Sequence, residues 1–462
     1  MRKFFYTLLF LLPMIVPAQQ SGYKSSPVDE IWMDVGQEGI SYGQTGYTSL
    51  AFSPSGQPYV AYYDVNFGAI LKKFDGTNWV QIGLPSHISL GGAEWISLAF
   101  SPEGDPYVAF KDIVNGDKAT VMKFDGINWV SVGSPGFSAG WVNYTSLAFS
   151  PVDHLPYVAF QDDANDDKAT VMKFTGTDWI PLGAAGFSSG MAAYTSLAFD
   201  AEAQPCVAFA EYNGPNNMAT VMRFNGSQWV PIGNPGFSAG IVNYICLAFN
   251  HTDQNPYVAY ADGPYSGKAT VMKFDGTSWV YVGQPGFSEG ASDWTSLAIS
   301  PDGVPYVAYA DEPHNMAASV MKYSGTAWVY EGGPAFSPGG VAFTSLAFSN
   351  SGQPWISYSD LADTNKVTVM KYDSVYDAVP EAPSGRFILY PNPATNLITV
   401  DLTGLDDGSK TIEIYSLCGV KISEEQTHDR KICLDVADYP RGIYFIKVKS
   451  SHSICTGKFT KN

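Results

Sequence analysis

The chain has 462 residues, of which 45% are apolar, 15% charged and 14% aromatic, and its formal net charge is −18. The apolar content excludes a disordered protein, and the excess of acidic residues argues against a nucleic-acid partner, because phosphate recognition needs a cationic surface. With 45 Gly and 30 Pro, the composition favours an all-β protein that is rich in turns.

The first residues have the features of a secretory signal peptide. A basic start at Arg2 and Lys3 is followed by an apolar run over Phe4–Val16 and by small residues that end at Ala18. This pattern predicts a signal peptide over residues 1–18. No later run approaches the roughly 18 apolar residues of a membrane span, so no transmembrane segment is expected. We expect a protein that is exported through the periplasm to the medium or to the outer cell surface, as a monomer.

A repeat of about 50 residues dominates the rest of the chain. Sequences that resemble Tyr-Thr-Ser-Leu-Ala-Phe begin at Tyr47, Trp95, Tyr144, Tyr194, Tyr244, Trp294 and Phe343. Each copy contains four short apolar runs separated by turn residues. Four antiparallel strands repeated in this way are typical of β-propeller blades. The sequence therefore predicts a seven-bladed β-propeller over residues 30–374.

The two ends of the repeat region complement each other. The seventh copy lacks the tryptophan that starts every other fourth strand, whereas Trp32 stands in such a strand pattern before the first copy. An N-terminal strand is therefore predicted to complete the last blade and close the ring, which leaves no open sheet edge.

A linker over residues 375–386 precedes a small Ig-like β-sandwich that is predicted over residues 387–462. Its motifs Tyr390-Pro391-Asn392-Pro393, Ile414-Tyr415-Ser416-Leu417-Cys418-Gly419, Arg441-Gly442-Ile443-Tyr444 and Gly457-Lys458-Phe459 resemble the type A C-terminal sorting domain of type IX secretion cargo in Bacteroidota. The resemblance implies that the type IX secretion machinery is a partner. It also implies that Pro391, Asn392, Pro393, Gly442, Tyr444 and Lys458 belong to the sorting motif. A Cys418–Cys433 or a Cys433–Cys455 disulfide is left open.

An acidic residue ends each predicted second strand. We call these seven residues the loop acids: Asp64, Asp112, Asp162, Glu211, Asp262, Asp311 and Asp360. They lie on the loop face, which is formed by the loops from second to third strands and from fourth strands to the next blade. In four blades a facing lysine can neutralise the acid (Lys118, Lys168, Lys268 and Lys366). Asp64, Glu211 and Asp311, together with Glu312, lack such a lysine and are candidate ligand-binding residues. The alternative is that each loop acid caps its own loop.

Two further sets of residues on the loop face are candidates. Trp141 follows a recurrent Gly-Phe-Ser loop and could stack on a sugar or a peptide. Calcium is the one cofactor for which the sequence offers ligands, because hard oxygen donors are concentrated in two loops. The donors are Asp112, Asn115 and Asp117 in blade 2, and Asp162, Asp163 and Asp166 in blade 3.

The sequence favours a binding protein over an enzyme without deciding between them. The six histidines share no repeat position, and no nucleophile elbow or phosphate-binding loop is present. Because catalysis usually needs blades that differ, these near-identical copies favour binding of glycans or other surface polymers. A polysaccharide hydrolase or lyase that uses an asymmetric pair of acids and a purely structural surface protein remain the alternatives.

Overall fold

The computed structural model describes residues 29–83, 87–214, 217–375, 386–405, 408–416, 421–450 and 454–461. They separate into two compact units, one over Glu30–Asp373 and one within Ser374–Asn462. The predicted signal peptide, most of the predicted linker and Cys418 lie outside the described residues.

The first unit contains seven four-stranded antiparallel sheets, each of which is one blade. The first six blades follow the chain: β2 (Thr45–Phe52), β3 (Pro58–Asp64), β4 (Gly68–Phe74) and β5 (Trp79–Gln81) in blade 1; β6 (Ala93–Phe100), β7 (Pro106–Asp112), β8 (Lys118–Phe124) and β9 (Trp129–Ser131) in blade 2; β10 (Val142–Phe149), β11 (Pro156–Asp162), β12 (Lys168–Phe174) and β13 (Trp179–Pro181) in blade 3; β14 (Met191–Phe199), β15 (Pro205–Tyr212), β16 (Asn217–Phe224) and β17 (Trp229–Pro231) in blade 4; β18 (Val242–Phe249), β19 (Pro256–Asp262), β20 (Lys268–Phe274) and β21 (Trp279–Tyr281) in blade 5; β22 (Ser292–Ile299), β23 (Pro305–Asp311), β24 (Ala317–Tyr323) and β25 (Trp328–Tyr330) in blade 6.

Blade 7 combines the two ends of the unit. It contains β26 (Val341–Phe348), β27 (Pro354–Asp360), β28 (Lys366–Val375) and, beside β28, the N-terminal strand β1 (Asp29–Asp34). Single turns of 3-10 helix follow the second strands of blades 3, 5 and 6, at Asp163–Asn165, Gly263–Tyr265 and Glu312–His314.

The cores of the blades lie along the second strands. All seven residues of β11, β19, β23 and β27 are buried, because neighbouring blades cover both faces of these strands. Their sequences are accordingly almost continuously apolar rather than alternating. The short outer strands bury only their tryptophan.

Tryptophan side chains connect each blade to the one before it. The indole nitrogen of Trp179 donates a hydrogen bond to the backbone carbonyl of Val132 at 2.7 Å, and its ring stacks on Phe137 with centroids 4.4 Å apart. The same type of hydrogen bond starts at Trp79, Trp129, Trp229, Trp279 and Trp328. Trp32 of β1 makes it to Glu331. These contacts join all seven blades in a closed ring.

The cysteines of the described residues include three free thiols. Cys206 is buried and Cys246 is partly buried, both within the propeller. Cys433 is exposed, and its sulfur lies 3.1 Å from the hydroxyl of Thr399. Neither of the two disulfides that the sequence left open at Cys433 is therefore formed.

The second unit is a β-sandwich. One sheet contains β29 (Arg386–Tyr390), β30 (Leu397–Gly404) and β33 (Lys431–Asp435), and the other contains β31 (Lys410–Ser416), β32 (Lys421–Thr427), β34 (Gly442–Lys449) and β35 (Ile454–Lys461). Apolar side chains from both sheets, among them Val400, Ile414 and Ile446, form one core. In neither unit does the described part of the chain include a helix long and apolar enough to cross a membrane.

Candidate ligand-binding site at the central channel

A β-bulge in the first strand of each blade presents one aromatic side chain to the central channel. In blade 3 the pairing of β10 with β11 shifts between Asn143 and Ser146, and Tyr144, which lies between them, has a φ of 54°. We call the seven equivalent residues the channel aromatics: Tyr47, Trp95, Tyr144, Tyr194, Tyr244, Trp294 and Phe343. All have φ between 52° and 56°. This conformation costs a non-glycine residue on the order of 1–3 kcal/mol, and here it recurs in every blade.

The channel aromatics form an unbroken circle. Neighbouring ring centroids are 4.1 to 5.1 Å apart, and their interplanar angles of 44° to 55° are close to one seventh of a full turn. The circle closes through Phe343 and Tyr47, whose centroids are 4.7 Å apart. The rings are therefore related by the rotation that relates the blades. With the residues that follow them, they line a cavity of about 240 Å³.

Four of the channel aromatics are tyrosines whose hydroxyls make no hydrogen bond to the part of the protein that the structure describes: Tyr47, Tyr144, Tyr194 and Tyr244. Burial is the main cause that raises their pKa, to about 12 for Tyr47 and Tyr244. The phenols are thus protonated at neutral pH. They can donate or accept hydrogen bonds within the cavity.

The residue after each channel aromatic fixes the position of the circle. The hydroxyl of Thr295 donates to the backbone carbonyl of Tyr244 in the preceding blade at 2.5 Å. Equivalent bonds start at Thr48, Thr145, Thr195 and Thr344. In two blades the position holds Ile96 or Ile245 instead. The bulged backbone is therefore held mainly by neighbouring blades, which explains how it retains its unusual φ.

The residue before each channel aromatic pairs across the sheet with the residue before the loop acid. We call these seven pairs the mouth pairs: Gly46–Tyr63, Glu94–Lys111, Asn143–Gln161, Ala193–Ala210, Asn243–Ala261, Asp293–Ala310 and Ala342–Ser359. No two pairs are alike, although the strands around them are close copies. The blades therefore differ chemically at this level, although six of the residues are buried: Gln161, Ala193, Ala210, Ala261, Ala310 and Ser359.

Lys111 is the centre of a polar cluster at the loop-face entrance of the channel. Its ammonium nitrogen lies 3.4 Å from a carboxylate oxygen of Glu94 and 3.4 Å from the amide oxygen of Asn143. It also lies 5.8 Å from the ring centre of Trp141, which is 37% exposed. The cluster therefore combines an exposed aromatic face with hydrogen-bonding groups of both polarities.

Asn143 shows which way the residue before a channel aromatic points. Its amide oxygen accepts a hydrogen bond from the indole nitrogen of Trp95, the channel aromatic of the preceding blade, at 3.1 Å. Its amide nitrogen donates to Gln161 at 2.9 Å. The mouth pair thus lies directly beside the circle of aromatics.

The loop acids are buried, and most of them organise loops. One carboxylate oxygen of Asp64 accepts hydrogen bonds from the backbone nitrogens of Tyr42 and Gly43, at 3.2 and 2.9 Å. Glu211 accepts from Ser189 at 2.8 Å. Asp311 accepts from Ser319 at 2.9 Å and lies 3.0 Å from a ring nitrogen of His314. The exposed fractions of Asp64, Glu211 and Asp311 are 0%, 5% and 0%, so all three are buried, and their role in ligand binding stays a prediction.

The four lysines that face loop acids make no ion pair with them within the described part of the chain. Lys118, Lys168, Lys268 and Lys366 are the cross-strand partners of loop acids, yet no such pair is among the ion pairs of the described residues. Hydroxyl and amide groups take their place, as in blade 2, where Thr120 and Asn115 donate to Asp112 at 2.9 and 2.8 Å. Glu312, in contrast with the loop acids, is exposed.

The two loops that were expected to bind calcium use part of their oxygens internally. Asp112 and Asp162 accept hydrogen bonds from Asn115 and Asn165, each at 2.8 Å. Asp117 lies 3.8 Å from Lys111. Asp163 and Asp166 are exposed. Nowhere in the described ranges do three or more His, Cys, Asp or Glu side chains form a group that could hold a metal ion.

Reasoning from the sequence missed the channel aromatics and Lys111. The seven aromatics are the first residues of the repeats in the sequence. Whether their side chains point towards the central channel depends on the β-bulge, which the sequence did not show. Lys111 was visible as the single lysine at the position before a loop acid, where the other blades have Tyr, Gln, Ala or Ser.

The motif residues of the C-terminal unit lie along its last strand. The amide oxygen of Asn392, between Pro391 and Pro393, accepts a hydrogen bond from the backbone nitrogen of Thr460 at 2.9 Å, and its amide nitrogen donates to the carbonyl of Lys458. Tyr444, two residues after Gly442 in β34, stacks on Phe459 of β35 with centroids 5.4 Å apart. Widely separated motifs of the sequence thus form one packed edge of the sandwich.

The chain is similar to solved structures at low sequence identity. An ulvan lyase, from a new family of polysaccharide lyases, has a TM-score of 0.50 and 10% identity over 74% of this chain and 96% of its own. PorZ, a surface component of the type IX secretion system of Porphyromonas gingivalis, has a TM-score of 0.46 and 13% identity over 93% of this chain and 60% of its own. The Aleuria aurantia lectin has a TM-score of 0.43 and 13% identity over 63% of this chain and 97% of its own. No curated protein matches the sequence.

The C-terminal unit has a family match. Residues 388–462 match the family described as the secretion system C-terminal sorting domain. This match agrees with the motifs that the sequence resemblance rested on, and it indicates export to the cell surface or the medium. The chain is therefore an exported seven-bladed β-propeller protein that carries a C-terminal sorting domain of the type IX secretion system.

Proposed function

We propose that the propeller is a glycan-binding protein and that its site is the loop-face entrance of the central channel. The observation that carries this proposal is the closed circle of seven channel aromatics that lines the cavity. Seven unlike mouth pairs precede it in the strand register. Aromatic rings stack on the apolar faces of sugar rings, while the hydroxyls of a sugar need hydrogen-bonding partners of both polarities. The tyrosine hydroxyls and the cluster around Lys111 supply such partners.

Charge and export support the same proposal. The sorting-domain region, residues 387–462, has nine acidic and nine basic residues, so the acidic excess lies in the preceding chain. An acidic propeller repels strongly anionic polymers at low salt, which favours neutral or cationic glycans. The protein is exported to a surface or medium where such polymers are available.

Binding of the secreted full-length chain to an array of bacterial, plant and algal glycans tests the proposal. We expect binding that Trp95→Ala and Lys111→Ala each weaken at least tenfold. Ile127→Ala is the matched control, because Ile127 is 67% exposed in the turn before the fourth strand of blade 2, away from the channel. Absence of binding at millimolar ligand, or equal binding by all variants, would overturn the proposal.

A further inference from the structure

Asp293 is a carboxylate at the channel entrance that lacks a partner. It is half-buried on β22, immediately before the channel aromatic Trp294. No hydrogen bond or ion pair reaches its carboxylate from the residues that the structure describes. Burial is the main cause that raises its pKa, and the charge of Glu312 adds to the rise. Among the described residues, therefore, no cation pairs with the carboxylate of Asp293.

The comparison with Glu94 shows that a mouth-pair carboxylate without a neighbouring cation is particular to blade 6. Glu94 occupies the same repeat position in blade 2, where its cross-strand partner is Lys111 at 3.4 Å. The cross-strand partner of Asp293 is Ala310. The entrance thus has two carboxylates in its mouth pairs, and only one of them has a cation beside it.

The unpaired carboxylate lies next to aromatic rings. By equivalence with Asn143, which contacts Trp95, Asp293 points towards Tyr244, the channel aromatic of the preceding blade. In agreement with this placement, the charge of Asp293 contributes to the raised pKa of Tyr244, after burial. The ring centroids of Tyr244 and Trp294 are 5.0 Å apart. A carboxylate beside several aromatic rings is the combination that recognises organic ammonium groups, because ring faces and the carboxylate both attract the positive charge.

We propose that the channel entrance beside Asp293 binds a protonated amine, supplied by an amino sugar with a free ammonium group. This inference rests on the proposed function in its choice of a sugar, but the recognition of the ammonium group does not depend on it. The ammonium group would pair with Asp293 and lie against the rings of Tyr244 and Trp294. Tyr244 and Trp294 line the cavity of about 240 Å³, and Asp293 lies outside that lining, one residue before Trp294 on β22.

Two tetrasaccharides that differ only in the amine test the inference: tetra-glucosamine and tetra-N-acetylglucosamine. Titration of the full-length chain, followed by calorimetry and by intrinsic tryptophan fluorescence, should show at least tenfold tighter binding of tetra-glucosamine. Asp293→Asn should remove this preference, so that the two tetrasaccharides bind with similar affinity. Asp178→Asn, which removes one exposed acid from a turn before a fourth strand, is the charge-matched control and should retain the preference.

Butylammonium chloride separates the two proposals. If neither tetrasaccharide binds but butylammonium quenches the tryptophan fluorescence and Asp293→Asn abolishes the quenching, the amine site stands and the glycan proposal fails. If tetra-N-acetylglucosamine binds as tightly as tetra-glucosamine, or if Asp293→Asn retains the preference, the amine site is overturned while glycan binding stands.

Discussion

The indole nitrogen of Trp32 donates a hydrogen bond to the backbone carbonyl of Glu331 at 2.7 Å, across 299 positions of sequence. Trp32 is 6% exposed, and its ring stacks on Phe336 with centroids 4.5 Å apart. Trp32 therefore connects blade 7 to blade 6 in the same way as Trp179 connects blade 3 to blade 2. This contact makes the N-terminal strand part of the ring.

Trp32→Ala should lower the free energy of unfolding by about 3–5 kcal/mol, the usual cost of truncating a buried aromatic residue. Guanidinium denaturation of the full-length chain measures the effect. Ile127→Ala, at an exposed turn, should stay within about 0.5 kcal/mol of the wild type. An equally small effect of Trp32→Ala would mean that β1 does not close the ring in solution.

Glu331 stands where the other fourth strands have Val, Leu or Ile, and Lys322 lies 2.6 Å from its carboxylate. The side chain of Glu331 is 8% exposed, whereas that of Lys322 is 36% exposed. Lys322→Ala leaves a buried charge unpaired and should cost about 3–5 kcal/mol, whereas Glu331→Val should be neutral or stabilising, because water can solvate Lys322. Denaturation of both variants measures this asymmetry.

Lys123→Ala is the matched control for Lys322→Ala, since Lys123 has the same repeat position in blade 2 and no ion pair to another described residue. It should change the free energy of unfolding by less than about 1 kcal/mol. Equal costs at the two lysines would show that Glu331 adds nothing to the role of Lys322.

Glu211→Gln should reduce stability without a specific effect on ligand binding. The side chain accepts hydrogen bonds from the backbone nitrogen of Ser189 and the hydroxyl of Thr220, both at 2.8 Å. The backbone nitrogen of Ser189 can only donate, so the new amide nitrogen has to face the hydroxyl of Thr220, which already accepts from the backbone nitrogen of Gly236 and would have to rotate to accept a second hydrogen bond. Loss of the two bonds to a charged acceptor costs about 1–3 kcal/mol. Thermal denaturation and binding titration on the same sample separate the two effects. Lost turnover or binding at unchanged stability would restore Glu211 as a ligand-binding or catalytic residue.

The channel tyrosines should make the protein sensitive to alkali. Burial raises the pKa of Tyr47 and Tyr244 to about 12, whereas the phenol in an unfolded chain ionises near 10. Between these values the unfolded state releases protons that the folded state retains, so stability falls as the pH rises from about 10 to about 12. Unfolding midpoints between pH 8 and pH 12 should show this fall. The double variant Tyr47→Phe, Tyr244→Phe should show a smaller one, and an unchanged slope would contradict the assignment.

Sequence reasoning reached the fold because the fold is repeated. Tyr144 and Trp179 recur with their surroundings at a fixed spacing, so the interpretation of one repeat as a blade predicted seven blades. The position of Trp32 before the first repeat predicted that the N-terminal strand completes the last blade. The candidate site was predicted less well. An acid at the end of every second strand can be required for the structure of the loop as readily as for binding. Whether Asp64 and Asp311 are buried depends on the neighbouring loops, which the local sequence does not show.

The sequence by itself determined the blade count, the all-β architecture and the export domain, because these follow from local periodicity and from motifs that are contiguous along the chain. The tertiary structure alone decided which side chains face the central channel. The bulge that turns Tyr144 into the channel, the contact of Phe343 with Tyr47, and the lack of a cation beside Asp293 all depend on residues that are distant in sequence. Their positions are fixed only when seven blades pack around one axis.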